Sequence, residues 1–360
     1  MLTALIFFIV LGVLIFVHEF GHFIFAKKAG MKVEEFGFGF PPRLWGIKKG
    51  ETTYSINWIP FGGFVKILGE EGEHRNDPQS FSAKPFLAKL KVIVAGVFMN
   101  FMLAVVLLMI VNFFGLRIGI IDEQTSYSAE DKQIQVIQIA ENSPAQIAGI
   151  RLLDGIMGFE VEGQITLVNN VQKTQDFIKN NAGKAVTILI SRDGELVEKE
   201  LTPRLNPPEG EGALGVSLAL TGVVSYPWYE AIWRGAYDAG IITINTVIGY
   251  GMLFKTLLLK GKLIADVSGP IGIANMTGQA ARIGLNYLMQ FVALISINLA
   301  VLNIIPFPAL DGGRAVLIII EKLKGSPVNK KIEQGINAVG FALLLMLMIY
   351  VTFKDIVRLF

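Results

Sequence analysis

Apolar runs of bilayer length constrain this chain more than any other feature. A helix needs about 20 residues to cross the roughly 30 Å of hydrocarbon in a membrane. Four runs reach that length: residues 2–26, 92–114, about 287–307 and about 335–353. Backbone polar groups in hydrocarbon must be satisfied within their own segment, so each run predicts a transmembrane α-helix. Only 17% of the residues are charged, against roughly 25% in soluble domains, which agrees with a polytopic α-helical membrane protein of about four spans. The first run is too long for a signal-peptide core and lacks a convincing cleavage site, so it is expected to be retained. A fifth stretch, GIITINTVIGYGMLFKTLLL at 240–259, is long enough to span, though its Thr, Asn and Lys content makes it marginal.

Charge sets the expected path through the membrane. The loop 27–91 carries eleven Lys or Arg, and 309–334 carries Arg314, Lys322, Lys324, Lys330 and Lys331. The positive-inside rule predicts both loops on the cytoplasmic side, with the N-terminus and 115–286 outside. A net charge of +2 with no long basic run excludes electrostatic nucleic-acid binding and leaves the lipid bilayer as the expected environment. Cysteine is absent, which removes disulfides, thiolate metal sites and a cysteine nucleophile together.

Between the second and third runs lies a segment of different character. Residues 134–203 read as short strands and one helix, ending in a hairpin around Arg192, Asp193 and Gly194. The Pro- and Gly-rich LNPPEGEGALG follows as a linker. The expected division is 1–114 with the first two spans, an inserted mixed α/β domain at 115–210, an external or membrane-surface segment at 211–286, and 287–360 with the last two spans.

The first span contains an anomaly, IFVHEFGHFIFAKK at 15–28. Ionisable groups at such depth are costly and point to function. Residues four apart share a helix face, so His18 and His22 can present two imidazoles to one ion, with Glu19 at its flank. Two nitrogen ligands suit Zn²⁺, a catalytic zinc takes a third protein ligand, and a nearby carboxylate serves as the base that activates water. Two of the chain's three histidines fall in the pattern; the third, His74, lies in a polar loop and is expected to be solvated. Chance occurrence, or packing of the histidines against another helix, is the plain alternative.

A third ligand comes from NLAVLNIIPFPALDGGRA at 298–315. Asp311 follows an apolar span, with Pro306 and Pro308 breaking the helix before it and Gly312 and Gly313 freeing the backbone after it. An ordinary interfacial aspartate is the alternative. His18 and His22 sit near the cytoplasmic end of the first span, so Asp311 can join them only if the first and third spans run in the same direction. A metal site shared by those two spans requires 240–259 to be a surface or half-inserted helix. The run TTYSINWIP, 52–60, alternates apolar and polar residues, and PFGG can turn it back into FVKIL. Such a β-hairpin on the cytoplasmic side can offer a sheet edge to an extended peptide, with Gly62, Gly63 and Phe64 at its turn as substrate-contacting residues. A cytoplasmic hairpin with no ligand is the plain alternative, since edge strands are often simply covered.

Together HEFGH and NIIPFPALDGG resemble the paired motifs of the site-2 protease family of intramembrane zinc metalloproteases. AGVFMN at 95–100, the run from Phe36 to Glu70 and SGPIGIANMTGQ at 268–279 extend the likeness to most of the chain outside the inserted domain. They are similar to the family's bacterial RseP branch. The resemblance implies Zn²⁺ held by His18, His22 and Asp311, Glu19 as catalytic base, and peptide hydrolysis within or near the membrane segments of single-span proteins such as anti-sigma factors or remnant signal peptides. It implies a bacterial inner (cytoplasmic) membrane location, a β element that dips toward the metal, and Asn303 and Asn298 holding the substrate backbone. Gly96 and Asn100 match a GxxxN motif of the second span, read as helix packing or substrate contact.

The inserted domain resembles a PDZ domain through SPAQIAGIRLLDGI. Asp154 is kept, Leu153 stands where glycine is usual, and one copy is visible where the RseP branch has two. A zinc or proton transporter, and an inactive PDZ-bearing membrane scaffold, are the rival classes.

Overall fold

The structure is a computed structural model that describes residues 2–357 except 71, 121–128, 193, 209 and 261–268. It divides into two compact units, residues 1–110 with 232–360, and residues 111–231.

In the first unit, α1 (Leu2–Lys28), α2 (Phe86–Phe114), α7 (Leu285–Ile304) and α9 (Lys330–Val357) follow the four apolar runs. All four are long and apolar enough to cross a membrane. Small and branched residues close the bundle: Ala104, Val105 and Leu108 of α2 meet Ala293, Ile297 and Val301 of α7 in one buried cluster, and Val10 and Leu14 of α1 join Val292 in another. The outer faces stay apolar and uncovered. Phe341 and Val339 are each 63% exposed, an arrangement suited to lipid and not to water.

Three further helices complete this unit. The helix α5 (Trp228–Lys260) is continuous and contains 240–259 as its second half. It touches α2 where Gly235 packs on Met109, and α7 where the Tyr250 hydroxyl donates to Asn298 Oδ1 at 3.0 Å. The helix α6 (Pro270–Ile283) lies against the start of α1, with Gly278 on Thr3. Its Gly272 N–H donates to Asp355 near the end of α9 at 2.8 Å. The helix α8 (Asp311–Lys324) follows α7 and buries Ala315 and Ile318 beside Val92 and Ile93 of α2. Thus α7 begins near the start of α1 and leads to the far end of α1, so the two run in the same direction.

The hairpin is larger than the sequence predicts. Two long strands, β1 (Val33–Lys49) and β2 (Thr52–Ile67), join through residues 50–51. Residues 43–49 of β1 pair antiparallel with 52–57 of β2. Residues 35–38 pair antiparallel with 63–66 on one side and run beside 53–56, both numbers rising, on the other. PFGG does reverse the chain, but FVKIL pairs with 35–38 instead of folding back onto TTYSINWIP. The segment 35–38 inserts between them, and Gly37 within it and Gly39 just after it let the neighbouring residues close in: a Cβ on each would lie 2.5 Å from the Phe64 ring and 2.6 Å from the Ile59 carbonyl oxygen, respectively.

The second unit contains β3 (Leu116–Gly119), β4 (Glu130–Ile139), the short helix α3 (Pro144–Ile147), β5 (Gly155–Val161), β6 (Gln164–Leu167), α4 (Val171–Asn180), β7 (Val186–Arg192), β8 (Glu195–Leu201) and β9 (Val216–Val224). The strands order as β3-β9-β4-β5-β7-β8, with β6 paired to β5. Alternate residues Ile134, Val136, Ile156, Ile188 and Ile190 point into one core, where Phe159 stacks on Phe177 of α4 at 4.7 Å. Ser143 caps α3 by accepting from Gln146 N, and Pro144 takes the first turn, where a missing N–H costs nothing. Asp154, 2% exposed, accepts from Arg192 at 2.6 and 2.8 Å. The sheet runs past the Pro- and Gly-rich linker: β9, in the stretch 211–286, returns to pair with β3 and β4.

Candidate metal centre

One turn of α1 separates His18 from His22, and their Nε2 atoms come to 3.2 Å. Asp311 opens α8, and its Oδ2 lies 3.1 Å from His18 Nε2 and 3.4 Å from His22 Nε2. Tetrahedral zinc with arms of about 2.0–2.1 Å separates its ligand atoms by about 3.3–3.4 Å. The three donors therefore form a triangle of nearly the right edge. Asp311 Oδ2 is buried and makes no hydrogen bond despite two nitrogens within reach. Two imidazole nitrogens and a carboxylate oxygen that converge on one point are a donor set that zinc accepts. Side-chain exposures of 12%, 13% and 17% exclude most competing water.

The surroundings aim these groups. His22 Nδ1 lies 2.8 Å from the Val92 carbonyl oxygen, so the ring donates its proton there and keeps the Nε2 lone pair for a metal. Gly96 of α2 lies against both rings: a Cβ there would come within 2.5 Å of His22 Nε2 and 2.7 Å of His18 Cε1. Pro306 and Pro308 fall between the end of α7 and the start of α8, as the sequence predicts. Gly312 and Gly313 act differently from the expectation. They are helical, and a Cβ on either would lie 2.2 to 2.3 Å from the carbonyl oxygens of Ile305 and Phe307, so they permit close packing of the 305–310 turn on α8.

Glu19 lies under β2, where a Cβ on Gly63 would sit 3.3 Å from its Cγ. Gly62 is buried with φ +95°, and Phe64 packs against Gly37. Gly63 thus adjoins the base, with Gly62 and Phe64 as its chain neighbours. Asn298 does not stand free: it accepts from Tyr250 and donates to the Leu294 carbonyl at 2.8 Å. Asn303 is half-buried near the end of α7, and no hydrogen bond among the described residues engages its amide. His74 is exposed in its loop. An ion pair unseen in the sequence, Arg314 with Glu70, ties the first turn of α8 to the residues after β2. Its trace was a lone arginine directly after LDGG and a glutamate three residues beyond the end of β2.

Four apolar helices of membrane length, one carrying HExxH and another leading into the LDG at the start of α8, define a membrane metalloprotease. The chain belongs to peptidase family M50, the site-2 proteases, which matches it over residues 6–347. A Clostridium perfringens protein named as a candidate zinc metalloprotease is 39% identical over 348 residues, covering 96% of this chain and 95% of its own. The regulator of sigma-W protease RasP of Bacillus subtilis is 29% identical, covering 99% of each chain. The regulator of sigma E protease of Haemophilus influenzae is 29% identical, covering 98% of each. The protein is a multi-pass membrane protein and a zinc metalloprotease, which sets aside the transporter and the inactive scaffold.

Proposed function

We propose that this chain cleaves single-span membrane proteins within or beside their transmembrane segment, with His18, His22 and Asp311 as zinc ligands and Glu19 as the catalytic base. The observation that carries the reading is the donor triangle with edges of 3.1 to 3.4 Å, enclosed by apolar helices and flanked by Glu19. A zinc ion held there supplies Lewis acidity, polarising a carbonyl and making water more acidic. Glu19 takes the proton from the attacking water and delivers it to the amide nitrogen as the C–N bond breaks and the new C–O bond completes the carboxylate.

A helical substrate hides its carbonyls in its own hydrogen bonds, so it must first unwind. Residues 63–66 pair with 35–38 on one side only among the described residues. Their other edge begins at Gly63 beside Glu19, and it fits an extended strand of substrate. Asn303, with its amide disengaged, and residues 62–64 are the substrate contacts. Asn298, bonded to Tyr250, serves the same contact only by giving up that bond.

The sigma-factor regulators among the relatives favour anti-sigma factors or remnant signal peptides as substrates, in a bacterial cytoplasmic membrane. The second unit is read as a PDZ-like domain on the outer side. Its single copy agrees with the Bacillus subtilis alignment, in which at least 82 of 442 aligned positions have no counterpart in these 360 residues. The test is proteolysis of a purified single-span substrate by the purified protein, with and without a chelator. Cleavage abolished by the chelator and restored by zinc is expected; cleavage indifferent to the chelator refutes the reading.

A further inference from the structure

Three residues of α2 spaced by four, Val92, Gly96 and Asn100, face two imidazoles of α1 that are also four apart. Residues at this spacing share one helix face. Val92 offers a carbonyl to His22, and Gly96 offers the room both rings occupy. The third member, Asn100, is 1% exposed, and its Nδ2 lies 3.4 Å from His18 Nδ1. Its Oδ1 is buried without a hydrogen-bond partner. Ser296 of α7 donates to the Asn100 backbone carbonyl at 2.7 Å, which holds the residue in place.

A neutral imidazole carries one N–H. With His18 Nε2 turned to the metal, the proton sits on Nδ1 and needs an acceptor. The two ends of an amide exchange by a half-turn about Cβ–Cγ without change of shape. That half-turn brings Oδ1 to the position facing His18 Nδ1, so the orphaned oxygen gains a donor and the ring gains its acceptor. We propose that Asn100 is the positioning residue of His18, accepting the Nδ1 proton and thereby fixing the tautomer and ring plane that direct Nε2 to the metal. This rests on the reading of His18 as a ligand. It gives the GxxxN pair of the second span a physical role: Gly96 makes space for the imidazoles and Asn100 orients one of them.

The test is zinc affinity of the full-length detergent-purified protein, measured by competition with a chromogenic chelator. Asn100→Leu and Asn100→Ala should weaken zinc binding by about 10- to 100-fold, the usual cost of losing such a partner. Asn100→Asp keeps an acceptor oxygen and should stay within about threefold of the parent. A packing role predicts the reverse order, because Leu is apolar and of similar size while Asp adds a charge to an apolar span. Zinc held as tightly by the Leu and Ala variants as by the parent, with His18→Ala losing it, overturns the proposal. Zinc held at full strength by His18→Ala overturns instead the ligand assignment beneath it. Should Asn100→Leu fail to fold, imidazole-¹⁵N spectra of the zinc-loaded parent decide, since the chain has only three histidines. A slowly exchanging proton on His18 Nδ1 is expected, and an unprotonated or freely exchanging Nδ1 refutes the proposal.

Discussion

Gly63 of β2 lies directly against the side chain of Glu19 of α1. A Cβ on Gly63 would sit 3.3 Å from Glu19 Cγ and 3.2 Å from the Gly37 carbonyl oxygen. Both contacts are tighter than ordinary van der Waals packing, so the carboxylate or the strand has to shift. A displacement of about 1 Å at a catalytic group costs about 100-fold in rate. Gly63→Ala should therefore slow cleavage about tenfold and Gly63→Val about 100-fold or more, while zinc content stays at the parent level. Parent-like cleavage by Gly63→Val would show that this approach does not bear on the base.

The donor triangle makes a separate prediction about metal. Purified protein should hold about one zinc per chain, and Ala at His18, His22 or Asp311 should release most of it, because two remaining donors cannot match a three-ligand site. Glu19→Gln should keep the zinc and lose proteolysis, since it removes the base and not a ligand. Metal analysis and a cleavage assay on the same preparations check both halves. Full zinc retention in Asp311→Ala would remove that residue from the ligand set.

Local chemistry carried much of this site, and contacts distant in sequence carried the rest. His18 and His22 were legible because one helical turn puts them on one face with Glu19 at its flank, and Asp311 because two prolines break its span just before it. The spans themselves were legible from length and composition. What supports the histidines was not: Val92 contributes a backbone carbonyl, which leaves no mark in side-chain pattern, and Asn100 acquires its meaning only when α2 lies on α1. The turn at PFGG was visible, but not that residues 35–38 would insert beside it, since pairing order in a sheet depends on partners far along the chain. Likewise β9 hides behind a linker that resembles a domain end.

The pairing of Arg314 with Glu70 leads to a prediction of stability. Their side chains are 31% and 23% exposed, and Glu70 also accepts from Ile67 N at 3.3 Å. Arg314→Met leaves the glutamate without its charged partner, at a cost of about 1–3 kcal/mol. Adding Glu70→Gln removes the stranded charge and should recover part of that loss. Thermal unfolding of the single and double variants measures the coupling, and strictly additive effects would show that the pair does not tie the strand to α8.

Absence of cysteine makes the membrane path directly measurable. Single cysteines at exposed positions such as Ile165 and Asn170 should react with a membrane-impermeant thiol reagent added outside intact cells, and cysteines at Asn76 and Gln79 only after lysis. Lys262 lies outside the described residues; the charge bias of the loops predicts it on the external side. Reaction of a Lys262→Cys protein only after lysis would mean that 240–259 crosses the membrane.

The inserted unit is expected to act as a filter on substrates and not as part of the catalytic machinery. All proposed ligands and the base belong to residues 1–110 and 232–360, whereas the insertion has its own buried core of Ile134, Val136, Phe159, Ile188 and Ile190. On the outer side, it would meet the external part of a substrate before the membrane segment reaches the metal, turning away bulky domains and admitting trimmed chains. The deletion that tests this follows the sheet: removing 134–203 would cut β4 in two and leave only part of its pairing with β9, whereas removing 120–215 takes β4 out whole and leaves β3 paired with β9 through Leu116–Gly119 and Thr221–Val224, with Gly119 and Val216 joined by a short flexible linker. The shortened protein should bind zinc normally and cut untrimmed single-span substrates that the parent refuses. If it stays folded and zinc-loaded but no longer cuts an already trimmed substrate, the domain recruits or orients substrate, and the filter reading fails.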